Sequence, residues 1–392
     1  MRILVIGAGM YVTGRFQTGS GTILASLIEA SKFVHIEKVV IVARNMANEK
    51  IVAERSKELN SLLRANLPVT YKALPEDFEQ SLRKEIAENG YDAAIISVPD
   101  HLHFLHASIA LELGLHILVV KPLVPTLMEA KSLETLRKQK NLHAMVEFHK
   151  RFDETNLWIK KYLSNNELGK LLFIDVDYSQ KVSIPTEIFR SWVEKTNIFQ
   201  YLGVHYVDLI YFVTGFLPTR AMAIGTSGKL KKLGINNYDS VHAEVVWQKP
   251  NDPNDSFVSH FSIGWVDPIS TTALSDQKYL LVGEKGRIEC DQKDRGLRIV
   301  NENTGPLTIN PYFSEMLPDR DGNLSFGGYG YRSIECFLKD VSDILNGRKT
   351  AQEFDNIRPS IKQSFVSTRV VEAVNESLAN DSSWSTINDI FE

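Results

Sequence analysis

Residues 1–149 alternate short apolar runs with amphipathic stretches, and that alternation restricts the possible folds more than any other feature of the chain. Ile3–Ile6, Val39–Val42, Val69–Tyr71, Tyr91–Val98, Leu115–Val120 and His143–Val146 are too short for stable helices and suit buried strands. Helical patterns lie between them. Ile23, Leu24, Leu27 and Ile28 share one face, and charged amphipathic stretches follow over 48–63, 77–88, 103–113 and 126–138. Six strands joined by helices predict an α/β domain of Rossmann type, a doubly wound parallel sheet.

Ligands of such sheets lie at the carboxyl ends of the strands. The first run enters Gly7-Ala8-Gly9-Met10-Tyr11-Val12-Thr13-Gly14. Glycines there let the chain turn tightly and let a pyrophosphate approach the backbone. Val12 stands at the third small position, and Gly19-Ser20-Gly21 precedes the helical pattern at Ile23. This predicts an extended phosphate loop carrying Tyr11, Thr13 and Arg15, with Gly7, Gly9, Met10 and Tyr11 as cofactor contacts. The second run ends in Ala43-Arg44-Asn45. A carboxylate at this point would bind the ribose 2′-hydroxyl of NAD; a guanidinium pairs with a 2′-phosphate instead. The expected cofactor is therefore NADP(H) ahead of NAD(H), held here by Ala43, Arg44 and Asn45. The fourth run ends in Val98-Pro99-Asp100-His101-Leu102-His103, which assigns Val98, Pro99 and His103 to the nicotinamide side. His101, His103 and His106 have no cysteine or carboxylate partner at ligand spacing, so no metal site is expected.

The fifth run, Leu115–Val120, ends in Lys121-Pro122. A lysine at the mouth of a buried parallel strand faces the ligand crevice, and the proline biases it towards an extended backbone. Beyond Arg151 the pattern changes. Strands are expected at Leu171–Gln180, Arg220–Gly225, Ser240–Trp247, Phe257–Trp265, Lys278–Val282, Arg287–Cys290 and Leu297–Val300, with few helices between. Alternation such as Ile174, Val176, Tyr178 against Asp175, Asp177, Ser179 predicts a large, mostly antiparallel sheet with one covered and one open face. The domains are expected at 1–149 and 150–392, the second with an α+β fold. One helix interrupts the strands: Tyr201-Leu-Gly203-Val-His205-Tyr-Val-Asp208. His205 near its start is a candidate proton acceptor, with Tyr201 one turn earlier. His149 and Arg151, with Lys150 and Arg190, are candidates to reach a substrate phosphate or carboxylate.

A chain of 392 residues with 43% apolar and 23% charged residues can bury two cores. The net charge of −4 argues against a nucleic-acid partner. Cys290 and Cys336, far apart, suit a reducing cytoplasm, and no apolar run reaches the ~18 residues of a membrane span.

The motifs taken together resemble the Gfo/Idh/MocA family of glucose–fructose oxidoreductase and inositol dehydrogenase. They are the glycine loop, Val98-Pro99-Asp-His-Leu-His103, Gly114-Leu-His-Ile-Leu-Val-Val-Lys121-Pro122, Glu147-Phe-His-Lys-Arg151-Phe152 and Gly203-Val-His205-Tyr-Val-Asp208. The resemblance implies hydride transfer between a nicotinamide and a sugar, cyclitol or sugar derivative. It maps the family's lysine–proline motif onto Lys121-Pro122 and its catalytic histidine onto His205. It also implies a homodimer or homotetramer paired through the open sheet face. The chain departs from the family at Val120, where a glutamate is usual, at Tyr201, where an acidic residue is usual, and in the longer glycine loop. A cofactor-binding sensor and a tightly bound NADP sugar–sugar hydride shuttle are the alternative functions.

Overall fold

A computed structural model describes residues 1–14, 19–74, 77–303, 305–388 and 390–391. The chain divides into two compact units. The first comprises Met1–Val124, Met128–Asp153 and Tyr312–Ser364; the second comprises Pro125–Leu127, Glu154–Pro311 and Phe365–Glu392.

The first unit opens with β1 (Arg2–Ile6), α1 (Met10–Thr13), α2 (Ile23–Ala30), β2 (Lys38–Ala43), α3 (Asn48–Leu62) and β3 (Val69–Ala73). It continues with α4 (Phe78–Asn89), β4 (Ala93–Ile96), α5 (His103–Glu112), β5 (His116–Val120), α6 (Leu127–Gln139) and β6 (Ala144–Glu147). The six strands pair in parallel in the order β3-β2-β1-β4-β5-β6. Strand order reverses between β1 and β4, which opens a crevice at their carboxyl ends. Residues Ile3 to Ile6 and Ala93 to Ile96 are fully buried, as strands covered by helices on both faces must be.

One expectation fails here. Helix resumes directly after Gly9, at Met10, so Tyr11 and Thr13 lie in α1 and not on an extended phosphate loop. Between α1 and α2, the backbone at Gly14 comes close to that at Gly19 and Gly21. A Cβ on Gly14 would meet the Gly19 carbonyl at 2.1 Å, and one on Gly21 would meet the Gly14 nitrogen at 2.5 Å. Both glycines have φ of +73°, so only glycine lets these two backbones touch. Arg15 lies outside the described residues.

The second unit contains α7 (Glu154–Ser164), β7 (Leu171–Lys181), α8 (Val204–Thr214), β8 (Leu217–Thr226), α9 (Lys229–Lys232), β9 (Ser240–Lys249) and β10 (Asp252–Asp267). β11 (Ser275–Gly283), β12 (Gly286–Asp291), β13 (Leu297–Asn301) and β14 (Gly305–Ile309) follow. The Leu297–Val300 strand does not join the large sheet; it pairs only with β14.

β15 (Glu315–Pro318) and β16 (Leu324–Gly327) form a hairpin that leads into α10 (Tyr329–Leu345). The sequence places this segment in the second domain, whereas it packs within the first unit. Its amphipathic helix puts Ile334, Phe337, Leu338 and Val341 in one buried cluster with Leu24, Leu27 and Ile28 of α2. The following chain closes the open edge of the parallel sheet: the Val146 amide donates to the Pro359 carbonyl at 2.8 Å, and Met145 bridges Ser360. An unpaired strand edge is thereby covered. Arg358 clamps Asp340 of α10 through two bonds of 2.6 and 2.8 Å.

α11 (Phe365–Ala379) and β17 (Ser385–Thr386) return to the second unit, whose sheet has the order β12-β11-β7-β10-β9-β8-β17. Its pairs are antiparallel except β7 with β10. On β7, Ile174, Val176, Tyr178 and Gln180 are buried, while Asp177 is exposed. His242 and His260 stand on the exposed face. Among the described residues, no helix is long and apolar enough to cross a membrane.

Candidate active site

In the first unit, every cofactor candidate lies at or just beyond the carboxyl end of a parallel strand. Gly7 ends β1 with φ +110°, and a Cβ there would meet the Ser97 carbonyl oxygen at 2.0 Å. Gly7 is thus required for β1 and β4 to close on each other. Gly9 is different: a Cβ built on it meets none of the described residues within 4 Å. Its bare backbone faces open space and leaves room for a bulky anionic group, so the glycine turn fits a dinucleotide pyrophosphate. Met10 and Tyr11 follow in α1. Burial, then the neighbouring Glu147 carboxylate, hold the Tyr11 phenol well above its usual pKa.

At the end of β2, Ala43-Arg44-Asn45 is braced from β3 by Tyr71, which no motif marks. The Tyr71 hydroxyl donates to the Asn45 carbonyl at 2.6 Å, and the Asn45 side chain accepts from the Ala47 amide at 3.0 Å. Arg44 is exposed, with its guanidinium 5.6 Å from the Phe78 ring centre. His106 meets the other side of the cluster, edge-on to Phe78 at 5.3 Å. Burial keeps its imidazole below the ordinary histidine pKa. The end of β2 thus carries a cationic turn backed by an aromatic ring.

The ends of β4 and β5 are tied together by His103. Its Nδ1 lies 2.7 Å from the Pro122 carbonyl and its Nε2 lies 2.9 Å from the Val98 carbonyl. His103 therefore sets the backbone of both Val98-Pro99 and Lys121-Pro122, whose peptide bond is cis. Lys121 itself is only 8% exposed. Burial pushes its pKa down to about 8, against the pull of the Asp100 and Glu147 carboxylates. Neither carboxylate was singled out in the sequence, because each acts across strands. Glu147 is opposite Val120 in the β5–β6 register and fully buried.

Glu147 also holds His149, whose Nδ1 is 3.1 and 3.2 Å from the two carboxylate oxygens. The His149 ring stacks on Tyr329 at 5.6 Å and leans on Phe313 at 5.1 Å. Arg151 bonds Gln363 and lies 5.8 Å from the Phe148 ring. His149, Lys150 and Arg151 are all buried, so they do not form a surface basic cluster; Arg190, in the second unit, is exposed.

In the second unit, His205 is the second residue of α8 and 4% exposed. Its ring lies 6.1 Å from that of Tyr178 on β7. A π-helical turn, Phe199–Gly203, precedes α8 and carries Tyr201. The Tyr201 ring meets Phe189 edge-on at 4.8 Å and Trp265 at 6.4 Å. Tyr178, deeply buried, has its phenol pKa pushed up to about 12 by desolvation, a little relieved by Ser275. Among the described residues, no three His, Cys, Asp or Glu side chains are grouped to hold a metal ion.

Comparison with known proteins fits this arrangement. Residues 1–148 match the oxidoreductase family with an NAD-binding Rossmann fold, GFO_IDH_MocA, and residues 157–289 match the GFO/IDH/MocA C-terminal domain. The chain belongs to the Gfo/Idh/MocA family. It is 34% identical over 221 residues to the uncharacterized oxidoreductase YhhX of Escherichia coli, covering 54% of this chain and 57% of that one. It is 24% identical over 325 residues to levoglucosan dehydrogenase of Pseudarthrobacter phenanthrenivorans, covering 75% and 80% of the two chains. The chain spans about half the length of two of the curated relatives that it matches. The fold is that of scyllo-inositol dehydrogenase from Lactobacillus casei, solved with NAD(H) and scyllo-inositol. The TM-score is 0.66 at 16% identity, over 98% of both chains.

Proposed function

We propose that this Gfo/Idh/MocA protein is an NADP(H)-preferring oxidoreductase that oxidises or reduces a carbinol carbon of a sugar, cyclitol or related derivative. The observation that carries the reading is Lys121. A buried lysine at a strand end, between two carboxylates, remains an ammonium below about pH 8 and can serve as a preorganised positive charge. Two of the proteins named above are a levoglucosan dehydrogenase and a scyllo-inositol dehydrogenase, which supports the substrate class.

The glycine turn at Gly7 and Gly9, with Met10 and Tyr11, would hold the pyrophosphate, and Arg44 with Ala43 and Asn45 the 2′-phosphate. Val98 and Pro99, set by His103, would flank the nicotinamide. The bound nicotinamide supplies the hydride acceptor or donor. In the oxidative direction, His205 accepts the proton of the substrate hydroxyl on a ring nitrogen, and the Lys121 ammonium stabilises the negative charge developing on that oxygen. Tyr201, one turn before His205 in the sequence, and His149 and Arg151, just beyond β6, are assigned to the substrate. In the reductive direction the same groups return proton and charge.

The test is a panel of inositols, free sugars, sugar phosphates and nucleotide sugars, each with NAD or NADP, followed by nicotinamide absorbance. Turnover of a polyol with NADP ahead of NAD is expected. A protein that binds NADP(H) yet turns over nothing, with Lys121→Met indistinguishable from the parent, would instead be a cofactor sensor.

A further inference from the structure

The covered face of the large sheet carries a buried polar group that the chemistry above does not use. Gln180 lies near the carboxyl end of β7 and is 5% exposed. Its neighbours on that face, Ile174 and Val176, are apolar. Its Nε2 donates to Ser275 Oγ at 2.9 Å, across the Gln180–Ser275 register pair. Its Oε1 is buried and accepts a hydrogen bond from none of the described residues. An amide oxygen removed from water with no donor is costly, and native proteins leave few such atoms. At an otherwise apolar strand position, it calls for a donor that none of the described residues supplies.

The surroundings locate that donor. Residues two apart on a strand share a face, so Gln180 lies beside Tyr178. The Ser275 hydroxyl bonds both the Gln180 amide and the Tyr178 phenol. The Tyr178 ring in turn lies 6.1 Å from His205. A polar line therefore runs from the candidate proton acceptor through Tyr178 and Ser275 to Gln180, all within the second unit.

We propose that Gln180 is a substrate-binding residue whose Oε1 accepts a hydrogen bond from a hydroxyl of a polyhydroxylated substrate, with Ser275 fixing the carboxamide's orientation. The inference rests on the proposed hydride transfer and adds a rule of selection to it. A substrate that lacks this hydroxyl, or carries it as a methyl ether, leaves the buried oxygen unpaired and is rejected. Gln180 takes no part in the proton or hydride steps, so its loss falls on KM and not on kcat.

The experiment crosses enzyme variants with substrates. The parent, Gln180→Leu, Gln180→Glu and Ser275→Ala are assayed with NADP on scyllo-inositol, myo-inositol and D-glucose and on their monodeoxy and mono-O-methyl derivatives. In the parent, one position should carry a penalty in kcat/KM on the order of 10²-fold. In Gln180→Leu that penalty should collapse to about twofold, while the penalties at other positions persist. Gln180→Glu keeps an acceptor and should retain the preference, and Ser275→Ala should weaken it through KM. Equal penalties at every position in parent and Gln180→Leu would overturn the inference and leave the hydride-transfer reading standing. A parent inactive on all three series would overturn both. If Gln180→Leu fails to fold by circular dichroism, the contrast between Gln180→Glu and Ser275→Ala decides: no difference between them refutes the role.

Discussion

Replacing Lys121 by methionine should make the protein more stable and nearly inactive, and the two effects share one cause. The side chain is buried, and its pKa is lowered from 10.5 to about 8 because the ammonium has left water. Each tenfold change is worth 1.36 kcal/mol, so holding the charge in the folded state costs about 3 kcal/mol at neutral pH. Methionine keeps most of the stem volume without the charge. That cost already nets the pull of Asp100 and Glu147 against burial, and imperfect packing of the methionine leaves a stabilisation of about 1–3 kcal/mol at pH 7. The sign with pH follows from linkage. Below about pH 8 both folded and unfolded chains hold the lysine proton, and the full cost is present. Between about pH 8 and 10.5 the folded chain releases the proton first, so the parent's stability rises towards that of the variant. Denaturation of both proteins across this range measures the closing gap. Turnover of Lys121→Met at pH 7 should fall on the order of 10²–10³-fold, the loss expected for one preorganised donor, while NADP(H) affinity changes little. The parent's kcat/KM should also decline above about pH 8 as the ammonium is lost. A variant less stable than the parent by a constant amount at every pH, with activity intact, would refute the reasoning.

Arg44→Asp should weaken NADP(H) binding by about 1.5–3 kcal/mol and NAD(H) binding far less, measured by calorimetry; equal losses would remove Arg44 from the 2′-phosphate. The two glycines of the turn should fail differently. Gly7→Ala puts a Cβ 2.0 Å from the Ser97 carbonyl at φ +110° and should lower the melting temperature of the first unit. Gly9→Ala meets nothing among the described residues, so it should leave stability unchanged and weaken cofactor binding alone, as titration of nicotinamide fluorescence would record. His205→Asn should cut kcat on the order of 10²–10⁴-fold and flatten the acidic limb of the pH–rate profile; an unchanged limb assigns the proton to another group.

Period and punctuation made the parallel sheet legible from the chain alone. Strand runs apolar on both faces can only be buried between helices, and a glycine turn after the first of them can only sit at its carboxyl end. Lys121, Arg44 and the Gly7–Gly9 turn were identifiable because each follows directly on a strand, so its place follows from its position in sequence. The large sheet was legible for the same reason, from the alternation along β7, β9 and β10.

Tertiary structure decided whatever depends on neighbours distant in sequence. The close approach of the Gly14 and Gly21 backbones, just past the single turn of α1, is one such case. The return of Tyr312–Ser364 to the first unit depends on α10 finding the apolar face of α2 and on the free edge of β6. Neither surface is visible in the segment itself, which reads as one more stretch of a second domain. The same holds for chemistry. Asp100 and Glu147 sit inside motifs that give them no role of their own, and Tyr71 sits in none; in the fold the two carboxylates pull on the Lys121 ammonium and Tyr71 braces the turn that carries Arg44. A strand's period says which way a side chain points; only the register of its neighbours says which charge or hydroxyl it meets there.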